Sequence, residues 1–280
     1  MQAGSNFATV SEYFIFHYWG QKNIFLCFIS TMNLLTYSNV NFSGGINTIN
    51  NGVQLFKPFV VNHKTLGPLT LKISKEPSLV NGYDITVSDK FKKVLGHEAF
   101  SVLPEHKMIV GQMVEVLSEY RKQGRRKGFN LGELLHLSLI KFMNDNDFNK
   151  MDLHSKASAV YFHSKYKFEP SIVDKFDGRK VLSSIVKDKA KGFEKFVAKA
   201  QELLDVVKIN CRLLCENDVF KSLNKLTKEY IEKSVADKNS NQIHSFEGGF
   251  GMTLLKENIK READFFNKLY KKHGINYSVL

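Results

Sequence analysis

Between Leu69 and Leu117 apolar and polar residues alternate along successive segments, and the chain then runs through a basic, glycine-bearing loop into a stretch with helical periodicity. A period of two puts alternate side chains on one face of a sheet, whereas spacings of three and four make a helical stripe. Leu69, Leu71 and Ile73 mark a first strand. Tyr83, Ile85 and Val87 mark a second, behind the turn signal Asn81-Gly82. Val94 to Val102 and Lys107 to Leu117 are longer, and Pro104 to His106 is the turn that pairs them as a hairpin. Beyond the loop Glu119 to Lys127, the residues Leu131, Leu134, Leu135, Leu139, Ile140 and Met143 recur at helical spacing up to the stop signal Asn144-Asp145-Asn146-Asp147. Met151 to His154 reads as a short strand, Ala157 to Tyr166 as a helix and Lys167 to Ile172 as extended chain. This order predicts an α/β protein with a mixed α+β sheet.

The flanks differ in composition. Residues 1–52 are aromatic-rich and end in a Gly/Asn/Ser stretch, Ser38 to Gly52, read as a linker. The apolar run Asn23 to Leu35 is too short to span a membrane, which takes about 20 residues. A poor signal peptide, a packed hairpin and a true start at Met32 all fit it, and the protein reads as cytoplasmic. The core is expected over 53–175 and a mainly helical extension over 176–280. In the extension Phe193, Phe196, Val197, Ala200, Leu203, Leu204, Val207, Cys211 and Leu214 form a long stripe. Lys228 to Gln242 is polar and reads as a loop, a last core strand is expected near 250–255, and Glu257 to Lys272 closes as a helix. Cys27, Cys211 and Cys215 make no disulfide framework and no metal set.

A net charge of +12 suggests anionic company. No zinc finger, recognition helix or aromatic stacking motif accompanies it, so a nucleic-acid binder ranks last and no membrane partner is expected. The basic loop is more informative. Arg, Lys and Gly at a strand-to-helix junction offer free backbone N–H groups and a positive helix end, which together cradle a pyrophosphate. Asn130 and Gly132 at the helix start allow close backbone approach.

Here the sequence resembles the GNAT N-acetyltransferase superfamily. Its first signature, V-x-P-x-x-R followed by Q/R-x-x-G-x-G/A, is met by Val116-Leu117-Ser118-Glu119-Tyr120-Arg121 and then Arg125-Arg126-Lys127-Gly128-Phe129-Asn130-Leu131-Gly132. Ser118 stands in place of Pro, and two registers fit the loop: Arg125, Gly128 and Asn130, or Lys127, Asn130 and Gly132. A second signature, A-x-x-F-Y/H-x-K-x-G-F, is met by Ala159 to Phe168 with Lys167 at the Gly position.

The resemblance implies a GNAT-like acyl-CoA N-acyltransferase core: a splayed mixed sheet with helices on both faces, binding acetyl-CoA between two parallel strands. It implies backbone bonds to pantetheine from Val114, Val116 and Leu117, and phosphate contacts from Arg125, Arg126, Lys127, Gly128, Asn130 and Gly132. The reaction it implies is direct attack of an amine on the thioester, without a metal, and it needs a base and an acid. His163 stands where the family places a Tyr acid, with Tyr161 or Tyr166 as substitutes, and a hydrogen-bonding helix-end His is the other reading. Glu115 is the expected base, or a solvent-facing strand carboxylate, and Glu98 is a weaker candidate. The rival to an enzyme is a binding or effector module of the same fold. The acceptor amine, small molecule or protein, is not legible.

Overall fold

The computed structural model describes residues 53–121, 128, 130–209, 217–237 and 245–279. Contacts divide the chain into units 1–45 and 46–280, and all described residues belong to the second. The N-terminal aromatic segment and the three cysteines lie outside them.

The strands are β1 (Phe59–His63), β2 (Gly67–Lys75), β3 (Gly82–Ser88), β4 (Val94–Leu103), β5 (Met108–Val116), β6 (Lys150–Ser155), β7 (Glu169–Pro170) and β8 (Phe250–Leu255). The helices are α1 (Leu131–Asp145), α2 (Val160–Lys165), α3 (Lys175–Val186), α4 (Glu194–Ile209), α5 (Asn217–Ala236), α6 (Lys256–Arg261) and α7 (Ala263–Lys272). All eight strands join one mixed sheet in the order β1-β2-β3-β4-β5-β6-β8-β7. Neighbours through β5 are antiparallel, β5 and β6 are parallel, and β8 runs antiparallel between β6 and β7.

One sheet face is the core. Leu69, Leu71, Ile73, Tyr83, Ile85, Val87, Phe100, Val102 and Ile109 are buried at alternate positions beneath α1. The rings of Tyr83 and Phe100 stack at 5.8 Å, and Phe142 of α1 meets Phe100 edge-on at 5.1 Å. Helix α1 is buried almost all round from Glu133 to Ile140. Its stripe faces the sheet while α7 covers its back, where the Tyr270 hydroxyl donates to the Leu137 carbonyl at 3.0 Å. The other sheet face carries Lys72, Asp84, Thr86, His97 and Glu115, all half-buried or exposed.

Helices α3, α4 and α5 pack on one another at the β7–β8 end of the sheet. Asp174 starts α3 by accepting from the N–H groups of Phe176 and Asp177, both at 2.9 Å. Phe193 meets Tyr230 of α5 edge-on at 5.4 Å.

Two expectations need correction, and one strand was missed. Residues 228–236 are helix, because Leu223, Leu226, Tyr230 and Ile231 make a buried stripe that surrounding lysines and glutamates mask in the sequence. The closing helix is two helices that meet at Glu262. Strand β1, unread in the sequence, extends the sheet beyond β2.

A gap between parallel strands as the candidate site

Strands β5 and β6 pair only from Met108↔Lys150 to Gly111↔Leu153. Strand β4 stays with β5 as far as Gly96↔Val116, so β5 leaves β6 while keeping its other neighbour. The register shows the cause. Phe100 faces Gly111 but Ala99 faces Met113, which leaves Gln112 as an extra residue. Such a bulge increases local twist and bends its strand away from a flat sheet. Gly111 closes the last shared rung, since a Cβ there would stand 3.2 Å from the Leu153 Cβ.

Among the described residues no strand pairs with the far edge of β5 beyond the bulge. The Leu117 N–H donates to the Leu95 carbonyl at 2.9 Å. Bonded pairs alternate along an antiparallel ladder, so Glu115 and Met113 also bond to β4. The N–H and C=O of Val114 and Val116 therefore point into the gap. Leu117 does not share that edge: its carbonyl also accepts, from the N–H groups of Tyr120 and Arg121 at 2.9 and 3.0 Å.

Helix α1 packs at this end of β5: a Cβ on Gly96, the partner of Val116, would lie 3.3 Å from the Leu135 side chain in its second turn. Its first internal bond runs from the Leu134 N–H to the Asn130 carbonyl at 3.1 Å, so the N–H groups of Leu131, Gly132 and Glu133 precede the helical ladder. Asn130 is left-handed at φ 45° and makes no side-chain cap bond, and Gly128 has φ 67°. Asparagine is among the few residues that visit this region readily, which is how it stands where the signature has glycine. A Cβ on Gly132 would lie 3.6 Å from the Phe162 ring, so its side-chain position is backed by α2. Arg125, Arg126 and Lys127 lie outside the described residues.

The titratable candidates separate. Glu115 is exposed, on the sheet face opposite α1, with Oε2 3.6 Å from His97 Nε2. His97 in turn has Nδ1 3.1 Å from Asp84 Oδ1, which puts three side chains in a line across β3, β4 and β5. The hydrogen bond to Asp84 raises the His97 pKa against partial burial, with Glu115 adding to it. Glu98 points the other way, beneath α1, where it accepts from His136 Nδ1 at 2.8 Å.

His163, the expected acid, lies in the core. It is buried, with its ring 5.4 Å from His136 and 5.6 Å from Phe168. Burial, helped by His136, pushes its pKa down to about 3, so near neutrality the ring is uncharged. Tyr161 packs against Phe246 on the side of the helical extension, and burial pushes its phenol up to about 12. Tyr166 is spent in a buried cluster. Its hydroxyl donates to Glu133 at 2.5 Å, and Lys165, Lys272 and His273 donate to the same carboxylate at 2.8, 2.5 and 2.6 Å.

Sequence reasoning passed over Asp84 and His97. The alternation that puts both on one face was available, but their meeting depends on strand register. Among the described residues no group of His, Cys, Asp and Glu could hold a metal ion, and no helix is long and apolar enough to cross a membrane.

Sheet order, bulged β5, its parting from β6 and the loop-to-helix junction agree with the splayed mixed sheet that the resemblance to GNAT N-acetyltransferases implies, with helices α3 to α5 standing before β8. No family profile matches the chain, and no curated protein matches it. Among solved structures it is similar to an acetyltransferase of the GNAT family from Staphylococcus aureus (18% identity, 32% of this chain and 55% of that one, TM-score 0.28). It is similar also to a spermidine N-acetyltransferase from Vibrio cholerae (17% identity, 32% and 52%, TM-score 0.28) and to Tetrahymena GCN5 (9% identity, 62% and 68%, TM-score 0.31). The chain thus spans about half the length of the first two.

Proposed function

We propose that the chain is an acetyl-CoA-dependent N-acetyltransferase that moves an acetyl group to a primary amine by direct attack on the thioester. The observation that carries this reading is the gap between β5 and β6, with the backbone groups of Val114 and Val116 aimed into it and the first turns of α1 packed at the Gly96–Val116 rung. Pantetheine contains two amides and can bond to a free strand edge as another strand would. The pyrophosphate then falls at the start of α1, where Gly128, Asn130 and Gly132 supply backbone and Arg125, Arg126 and Lys127 supply charge. Glu115 stands at the rim on the opposite sheet face, exposed and able to meet an amine.

Val114→Pro tests the edge. Proline removes one N–H that points into the gap and leaves the ladder to β4 intact. A lost hydrogen bond is worth about 0.5–1.5 kcal/mol, so acetyl-CoA affinity should fall about two- to tenfold with the melting temperature nearly unchanged. Unchanged affinity in a folded Val114→Pro variant would remove the strand edge from the binding account.

A further inference from the structure

The cofactor edge and the amine's approach lie on different sides of the sheet. The side chains of Val114 and Val116 face α1, whereas Asp84, His97 and Glu115 stand on the other face at the same stretch of β5. A nucleophile that attacks a thioester lodged in the gap must come from the face the cofactor does not fill. An amine arriving there is an ammonium ion and must lose a proton before its lone pair exists. Resting on the acetyltransferase reading, we propose that His97, held by Asp84, is the proton acceptor for the incoming amine.

The geometry assigns each group a part. Asp84 Oδ1, 3.1 Å from Nδ1, keeps the ring proton on that nitrogen and leaves the Nε2 lone pair outward. The 3.6 Å from Nε2 to Glu115 is too long to commit that lone pair to a hydrogen bond. Glu115, with a side chain 61% exposed, attracts the ammonium and passes protons to water. Other charges facing His97 are Glu76 in the β2–β3 turn and Lys72 in the same cross-strand row of β2.

The ammonium gives one proton to Nε2, forming an imidazolium beside two carboxylates. The amine nitrogen then bonds to the acetyl carbonyl carbon as the carbon–sulfur bond breaks. The leaving thiolate takes the nitrogen's second proton, and His97 returns the first to solvent by way of Glu115. The balance is ammonium plus thioester giving amide, thiol and one released proton. Asp84 acts through His97 and is a positioning residue.

The test uses the full chain, acetyl-CoA and methylamine as the minimal acceptor, following thiol release between pH 6 and 9. General-base groups contribute roughly 10²–10⁴-fold, so His97→Gln should lower the rate at least a hundredfold with acetyl-CoA affinity unchanged by calorimetry. Asp84→Asn should move the rising limb of the pH profile to lower pH, because it removes the partner that raises the His97 pKa. A residue that merely supported the fold would not move that limb. Equal rates in wild type and His97→Gln, whether fast or both at the uncatalysed background, would overturn the assignment. So would an unmoved limb in a folded Asp84→Asn variant. Calorimetry keeps the two failures apart: acetyl-CoA that binds while His97→Gln stays fully active sinks only this inference, whereas acetyl-CoA that does not bind sinks the acetyltransferase reading itself.

Discussion

Replacing Glu133 by Ala is expected to cost about 3 kcal/mol of stability, near the lower end for breaking a buried ion pair. The carboxylate is 3% exposed and ties α1 to α2 and to the C-terminal helix through Lys165, Tyr166, Lys272 and His273. Removing it strands the buried Tyr166 hydroxyl and His273 ring. The two lysines are half exposed and can turn to water, which keeps the cost from the top of the range. Burial alone would raise the pKa of Glu133, but the four donors overcome it and hold the carboxyl well below the usual glutamate range. Its contribution is therefore fully present above the ordinary value of 4.5 and fades as pH falls toward the depressed folded one. Denaturant melts of wild type and Glu133→Gln should differ most at neutral pH and converge on acidification below about pH 4.5. Equal stability at pH 7 would show that the cluster holds nothing together.

Phe142→Ala should cost about 3–5 kcal/mol, the range for a large buried aromatic whose site cannot collapse. Phe142 is fully buried, with ring centroids 5.1 Å from Phe100, 6.0 Å from Tyr83 and 5.9 Å from Phe148. Those neighbours stand on two strands and the loop after α1, and the sheet registers hold them apart, so the hole stays open. Since α1 carries the proposed phosphate end of the site, acetyl-CoA should restore part of the lost melting temperature. A loss under 1 kcal/mol in a urea melt would mean the core refills, against the packing described.

How much of this was legible in the sequence follows from the range of the interactions. Strands β2 to β5, helix α1 and the last core strand are local patterns, and Leu69 or Val87 announces its face by alternation alone. Over residues 228–236 the helical register of α5 was hidden because Lys228, Glu229, Glu232 and Lys233 outnumber the buried Tyr230 and Ile231, and burial against α3 and α4 is a tertiary fact. The site depends on one irregularity. The turn at Pro104 to His106 sets Leu103 opposite Met108, and counting inward from there places His97 opposite Val114. The extra residue Gln112 shifts the ladder by one, bringing Glu115 opposite His97 and parting β5 from β6. No composition rule marks Gln112 as a bulge. The surroundings of His163 were hidden for a related reason: its burial is decided by neighbours such as His136 and Phe168, which a local motif does not show.

The central claim is that the gap beside α1 holds acetyl-CoA, and calorimetric titration of the full chain with acetyl-CoA tests it most directly. The account predicts saturable heat with one molecule bound per chain. The affinity should fall as salt rises, because each charge-assisted phosphate contact supplies on the order of 1.5–3 kcal/mol and is screened by added ions. Replacing Arg125 and Lys127 together by Ala should weaken binding about tenfold or more and flatten that salt dependence. Neither heat nor a thermal shift with acetyl-CoA at millimolar concentration would contradict the account, leaving a splayed mixed sheet whose gap serves another ligand.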